Sequence, residues 1–153
     1  MLPVTKEVGL RFPTLLTTAL LCLFAGSVTA VTIRVPDVQP TIQAGVDAAS
    51  SGDTVLVAAG AYTGAGNVGV SVTTAGIVIT SETGAAATTI DCAGDAPAIT
   101  VSENGDTTTV IAGFTFTGGV GSSLTPGAIF LQRSASVKDC VFTDNESHNG
   151  GAI

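Results

Sequence analysis

The fold of this chain is decided by two stretches of one pattern, 110–117 (VIAGFTFT) and 136–143 (SVKDCVFT), which lie 26 residues apart. Three apolar positions of the first stretch recur in the second: Ile111, Phe114 and Phe116 are followed by Val137, Cys140 and Phe142. Periods of this length are typical of folds in which one structural unit stacks on the next. The apolar spacing within each unit has a period of two, which indicates β-strands and not helices.

A second set of repeated residues supports the same architecture. The dipeptide Ala-Ile occurs at 98–99 and returns, each time after a glycine, at 127–129 and 151–153. Units of about 25 residues with two or three short strands each predict a coiled sheet in which every turn pairs with the next. We therefore expect an all-β protein, a parallel β-helix of about four coils.

Each repeated stretch needs a bend at the same place. The first two apolar positions of a stretch differ in parity, so a regular strand cannot turn both side chains inward. A bend at Gly113 restores the inward direction, and the equivalent bend falls at Asp139. Both residue types tolerate left-handed backbone conformations. With these bends, Phe116 is expected to stack on Phe142 in the interior.

The segment before the first coil is expected to form a cap. Thr41 is a candidate helix N-cap, and Ile42, Val46 and Ala49 follow it at helical spacing. The apolar stripe of this short helix should cover the open end of the first coil, a strand edge that would otherwise invite aggregation. Strands are predicted over 31–35, 54–57, 70–72, 77–80, 88–92, 98–101, 108–116, 128–131 and 136–142, with a turn over 60–62.

The first 30 residues have the pattern of a secretory signal peptide. Lys6 and Arg11 precede an apolar run over 15–25, and a small-residue cleavage site ends at Ala30. The run is shorter than the roughly 20 apolar residues that cross a bilayer. A membrane anchor or a buried strand is the alternative. The prediction is a signal peptide over 1–30 and, over 31–153, the cap and first coils of a β-helix that is truncated at its C-terminus.

Composition restricts the partners of the segment that starts at Val31. Arg34, Arg133 and Lys138 stand against eleven acidic residues, so the formal charge is −8. A chain this acidic repels phosphate backbones, which argues against nucleic-acid binding. Without the first 30 residues, no apolar stretch is long enough to cross a membrane. We expect a protein that is secreted or held at the cell surface.

Two cysteines remain after the predicted cleavage, Cys92 and Cys140. A pair of cysteines in a secreted protein suggests a disulfide. The repeat places the two residues two coils apart, roughly 9.6 Å at about 4.8 Å per strand, whereas a disulfide needs Cα atoms within about 7 Å. Two buried free thiols are therefore predicted.

Four segments resemble a known superfamily. Residues 40–44 (PTIQA), 49–57 (ASSGDTVLV) and 60–62 (GAY) resemble the N-terminal cap and first coil of the pectin-lyase-like right-handed β-helices, and 113–119 (GFTFTGG) is similar to a later coil. The resemblance covers residues 41–153 and implies a right-handed parallel β-helix. A narrower similarity, at 142–145 and 150–153, is to the repeat of polymorphic outer-membrane proteins. The equivalent stretch one coil earlier departs from that repeat, with Gly119 where Asn is expected.

The superfamily implies a particular chemistry. Its pectate lyases hold Ca²⁺ with clustered acids and use Arg or Lys as the base, so that the cation neutralises a uronate while the base removes the adjacent proton. No matching cluster is evident in this sequence, and the catalytic residues stay unknown. The acids read as single turn residues: Asp91, Asp95, Asp139, Asp144 and Glu146.

One stretch carries the candidate metal ligands Asp144, Glu146 and His148. On an extended segment these alternating residues face one side, where they could bind Ca²⁺, another hard cation or a sugar. The alternative is a polar turn before the next coil. Asn145 opens a glycosylation sequon, Asn-Glu-Ser, but its side-chain amide could equally cap that turn.

Two functions follow as hypotheses from different classes. In the first, the protein acts on or binds an extracellular polysaccharide and is a pectate-lyase-like polysaccharide lyase if it is catalytic. In the second, it is a non-catalytic adhesin-like β-helix that binds a cell-surface ligand, of the polymorphic outer-membrane protein type.

Overall fold

Parallel strands wind through the part of the protein that the computed structural model describes, residues 29–95, 97–102, 109–148 and 150–153. Every strand pair in the three sheets is parallel, and the chain forms a β-solenoid of about four turns. The predicted all-β parallel helix with a short capping helix is confirmed. The elements are β1 (Thr32–Val35), α1 (Ile42–Ala48), β2 (Thr54–Val57), β3 (Gly60–Tyr62), β4 (Val70–Val72), β5 (Val78–Ser81), β6 (Thr88–Asp91), β7 (Ile99–Val101), β8 (Val110–Ala112), β9 (Thr115–Thr117), β10 (Ile129–Leu131), β11 (Ser136–Lys138) and β12 (Val141–Thr143).

Each coil contributes one strand to each of three sheets. The sheets have the orders β1-β2-β5-β8-β11, β3-β6-β9-β12 and β4-β7-β10. Coil 1 is therefore β2 to β4, coil 2 is β5 to β7, coil 3 is β8 to β10, and coil 4 begins with β11 and β12. The third side of coil 4 is supplied by residues 151–153, since the Ala152 carbonyl accepts hydrogen bonds from the amides of Ala128 and Ile129.

The predicted columns of apolar side chains are present. Val137 pairs with Ile111, and Phe142 pairs with Phe116, so the 26-residue period is the register of coil 4 on coil 3. The rings of Phe116 and Phe142 are stacked, with centroids 5.4 Å apart and planes 14° from parallel. Stacked aromatic pairs contribute about 0.5–1.5 kcal/mol beyond the area they bury.

The bends that align these columns also fall where the sequence places them. Gly113 separates β8 from β9 with φ of 75°, and Asp139 separates β11 from β12 with φ of 51°. The stretches predicted as 108–116 and 136–142 are thereby divided into two strands each. The left-handed conformation turns the chain at the corner, so that the buried Ile111 and Phe114 both point inward.

Helix α1 closes the first end of the solenoid, as predicted. Thr41 is its N-cap and accepts a hydrogen bond from the Ala44 amide at 3.2 Å. The helix packs against β1, β2 and β4 and buries Ile42 and Val46. Its Gln43 side chain pairs with the edge of β4, accepting from the Ser71 amide at 2.7 Å and donating to the Ser71 carbonyl at 3.2 Å.

Two expectations need correction. Residues 60–62 are not a turn but strand β3, because Gly60 pairs with Thr88 of β6 and Tyr62 is buried. Cys140 is half-buried and not fully buried, because β11 and β12 on either side of it are the last strands of their sheets. Both Cys92 and Cys140 are free, as predicted, and burial raises the pKa of the Cys92 thiol to about 11. The predicted signal peptide lies outside the described residues apart from 29 and 30.

Asp53 joins three parts of the capped end. Asp53 is 6% exposed, and its carboxylate accepts hydrogen bonds from the amides of Val31 and Ser50, each at 2.8 Å. The Ser50 amide, followed by the Val31 amide, lowers the pKa of Asp53, and burial opposes this effect. Asp53 thereby links the entry to β1, the end of the helix and the start of β2.

The two stacked phenylalanines should differ in their importance. Phe116→Ala is expected to cost about 3–5 kcal/mol of unfolding free energy, because the ring is fully buried. Phe142→Ala should cost only about 1–2 kcal/mol, since that ring is half-buried. Urea unfolding followed by circular dichroism measures both losses. Equal losses would contradict the position of Phe142 at the less covered end of the column.

Asp53 should make stability depend on pH on the acid side. Its pKa is lowered in the folded state, so its contribution is present above the unfolded value of about 3.9 and is lost as the pH falls through the folded value. The difference in unfolding free energy between wild type and Asp53→Asn should be largest near neutrality and shrink on acidification. Asp95→Asn, at an exposed loop position, is the control. A difference that does not change with pH would contradict this role.

Candidate functional site

The segment with the metal-ligand candidates forms one wall of a surface cleft. The cleft has a volume of about 250 Å³ and is lined by Val120 and Gly121 of coil 3 and by Glu146, Ser147 and His148 of coil 4. Two of the three candidates, Glu146 and His148, therefore lie at one site. The cleft is lined by residues of two successive coils, so its shape depends on the same coil-on-coil pairing that builds the core.

Backbone pairing continues from β9 and β12 into this cleft. Val120 and Glu146 form an isolated parallel bridge. The Glu146 amide donates to the Gly119 carbonyl at 2.7 Å, and the Gly121 amide donates to the Glu146 carbonyl at 2.6 Å. The carboxylate of Glu146 thus projects from backbone that is held on both sides.

Asn145 fixes the turn directly before Glu146. Its Oδ1 accepts from the Gly119 amide at 3.0 Å, and its Nδ2 donates to the Phe116 carbonyl at 2.9 Å. These bonds match the predicted role of a side chain that caps the turn. The acceptor nitrogen of the sequon is therefore already engaged with the neighbouring coil.

The glycine that departs from the repeat has a steric reason. A Cβ at Gly119 would collide with the carbonyl of Gly127, which lies against it at this corner. Gly127 in turn lies against Gly151 of the next coil, and its amide donates to the Gly151 carbonyl at 3.0 Å. Backbone packs directly on backbone here, so position 119 has no room for a side chain such as that of Asn145, which lies beside it in the next coil.

Ser147 fastens the loop on the far side of the cleft. Its hydroxyl lies within hydrogen-bond distance of the Ser122 carbonyl, at 2.9 Å, and of the Thr125 carbonyl, at 3.0 Å. The hydroxyls of Ser122 and Thr125 are also 3.0 Å apart. The loop from 121 to 126 is thus tied to coil 4, and the cleft has well-defined walls.

The described residues do not bring the three metal-ligand candidates together as one group. Asp144 has φ of 53°, so the segment is not regularly extended and the alternation that would align the three side chains is broken. Among the described residues, no group of three or more His, Cys, Asp or Glu side chains is placed to hold a metal ion. What the cleft does offer is a carboxylate and an imidazole, which can exchange hydrogen bonds with a hydroxyl-rich ligand.

The other acids have local roles. Asp91 accepts from the Ala93 amide at 2.9 Å, as a turn residue does, and Asp139 occupies the bend already described. Asp95 lines a separate cleft beside the loop around Gly64. Glu82 forms an ion pair with Arg34 at 3.0 Å between two exposed side chains, a kind of pair that contributes little to stability.

Sequence reasoning missed one wall of the cleft. Val120 and Gly121 have no chemistry of their own and were not singled out. The signal that could have found them is the 26-residue register, which places Val120 beside Glu146. A second, more apolar cleft of about 360 Å³ was also missed, and Leu124, Phe130 and Ile153 are among the residues that line it.

Comparison with known proteins gives no match: none among protein-family models, none among curated proteins and none among solved structures. The described residues contain no helix with the length and apolar character needed to cross a membrane.

Asn145 provides a test of how the cleft is held. Asn145→Asp is expected to cost about 1–3 kcal/mol, because a carboxylate cannot donate to the Phe116 carbonyl and leaves that half-buried bond unmade. The neighbouring Asp144→Asn, at an exposed position, makes the reverse change and should have little effect. Chemical unfolding of both variants measures the difference. An equal effect of the two changes would contradict the role of the Asn145 side chain in holding the turn.

Proposed function

We propose that this protein is secreted and binds an extracellular polysaccharide, with the cleft between coils 3 and 4 as its contact site. The observation that carries the proposal is that cleft, which Glu146 and His148 line. Its backbone is held by hydrogen bonds between coils 3 and 4. Sugar hydroxyls both donate and accept hydrogen bonds, so a carboxylate beside an imidazole suits them. The resemblance of 40–44, 49–57 and 60–62 to the N-terminal cap and first coil of pectin-lyase-like β-helices adds support.

The shape of the solenoid suits a linear polymer. Successive coils are separated by about 4.8 Å, so equivalent groups repeat along the stack at short intervals. The charge restricts which polymer binds. With a formal charge of −8 from Val31 onward, the protein repels polyuronates unless a cation such as Ca²⁺ lies between the two. Neutral chains need no cation.

Lyase activity is the enzymatic form of this proposal. It would require a base to remove the proton beside a uronate carboxylate while the bond to the glycosidic oxygen breaks. Arg133, in the loop between coils 3 and 4, and Lys138 of β11 are exposed basic side chains. They are starting points for mutagenesis if unsaturated products form.

An adhesin-like role is the second candidate. It is favoured by the similarity of 142–145 and 150–153 to polymorphic outer-membrane protein repeats. Two of these residues have structural roles in coil 4, where Asn145 holds the turn by hydrogen bonds and Gly151 packs against Gly127. A repeat that builds coils in this way can display a surface without any catalytic group.

Affinity electrophoresis in gels that contain neutral polysaccharide or polygalacturonate, with and without Ca²⁺, tests binding. Wild type should be retarded, and a double variant Glu146→Gln, His148→Ala should lose at least about tenfold in affinity, the effect of losing roughly 1.4 kcal/mol. Asp95→Asn, outside the cleft, is the control. Release of unsaturated products reports lyase activity. If the gel retards the double variant as much as wild type, the cleft is not the contact site. If the protein supports cell adhesion but no polysaccharide retards it, the adhesin-like role is favoured.

A further inference from the structure

The amide nitrogen of Val31 occupies an unusual position. It donates to Oδ1 of Asp53 at 2.8 Å, and Oδ2 of the same carboxylate accepts from the Ser50 amide. The Val31 carbonyl accepts from the Thr54 amide at 2.8 Å, one residue before β1 begins. The nitrogen and the carbonyl of Val31 are therefore both hydrogen-bonded, and the nitrogen faces the carboxylate of Asp53, a residue that is 6% exposed.

The two residues immediately before Val31 are accessible. Thr29 and Ala30 are exposed, and the Val31 side chain is 53% exposed. The ladder of β1 on β2 starts at Thr32. The bond between Ala30 and Val31 thus lies at the boundary between accessible chain and paired chain. It is also the bond that the small residues Val28 and Ala30 mark for a signal-peptidase-type endopeptidase.

We propose, building on the proposed secretion, that the chain is cleaved between Ala30 and Val31 and that the new α-ammonium group of Val31 forms an ion pair with Asp53. Cleavage is a hydrolysis in which one water is added across the amide bond. The carbonyl carbon of Ala30 gains the hydroxyl group, and the nitrogen of Val31 gains the hydrogen. Near neutral pH the new carboxylic acid loses its proton and the new amine gains one, which leaves a carboxylate and an ammonium group. The nitrogen does not need to move, because its amide hydrogen already points at Oδ1.

The charge change strengthens a contact that exists in the uncleaved chain. In the uncleaved chain a neutral amide donates to the charged carboxylate, whereas after cleavage both partners are charged and Coulombic attraction adds to the hydrogen bond. The gain fixes the start of the largest sheet to the end of α1 through Asp53. Processing would therefore do more than release the leader, since it completes the capped end of the solenoid.

The first test is the N-terminus of the product. The full chain is expressed in a secreting host, and the intact mass and N-terminal peptide of the secreted protein are measured. We expect Val31 as the first residue. Any other N-terminus, or a secreted protein that retains Ala30, would overturn the proposal.

The second test uses the small number of amines in the processed chain. From Val31 onward they are the α-amino group and Lys138, which is exposed and serves as an internal control. Pairing with Asp53 should raise the pKa of the α-amine above its usual value of about 7.7–8.0, and each unit of increase slows acetylation near neutral pH about tenfold. Val31 should therefore be acetylated about tenfold more slowly in wild type than in Asp53→Asn, with Lys138 unchanged.

The urea-unfolded wild type gives a reference that does not depend on the variant. Folded wild type should show the same protection relative to it, even if Asp53→Asn is not secreted. Equal Val31 labelling in folded and unfolded wild type would overturn the ion pair.

Discussion

Parallel pairing of each coil directly on the one before it is the constraint on which the rest of this structure depends. Once β12 pairs with β9 in register, Phe142 must lie over Phe116, and the rings stack. The same register carries Glu146 to Val120 and so creates the cleft. The core and the candidate site are thus two results of one set of hydrogen bonds, and a slip by one residue would turn every inward side chain outward.

The corners show what this stacking demands of the sequence. Where two strands of a coil meet, the backbone adopts left-handed conformations at Gly113 and Asp139. At another corner, Gly119 and Gly127 allow carbonyl groups to approach so closely that no side chain fits. The backbone geometry therefore repeats from coil to coil more closely than the residue types do. Gly119 in coil 3 stands at the position that Asn145 occupies in coil 4, because only glycine fits there.

Much of the fold could be predicted because its signals are local or periodic. The apolar period located the columns, and Thr41 with its apolar stripe located the helix. Strand β3 was missed because Gly60 suggested a turn, although Tyr62 packs inside. The expected alignment of Asp144 with Glu146 and His148 is interrupted by a positive φ at Asp144. An alternating residue pattern does not reveal such a backbone conformation. The contact of Asp53 with Val31 depends on tertiary structure and left no signal in the spacing.

The side chain of Gln43 imitates a strand, since it offers Ser71 one acceptor and one donor as a neighbouring backbone would. The contact occupies the outward backbone groups of Ser71 in β4, the edge strand of its sheet. A duplicated strand could therefore pair with β4 at this position only by displacing the Gln43 amide.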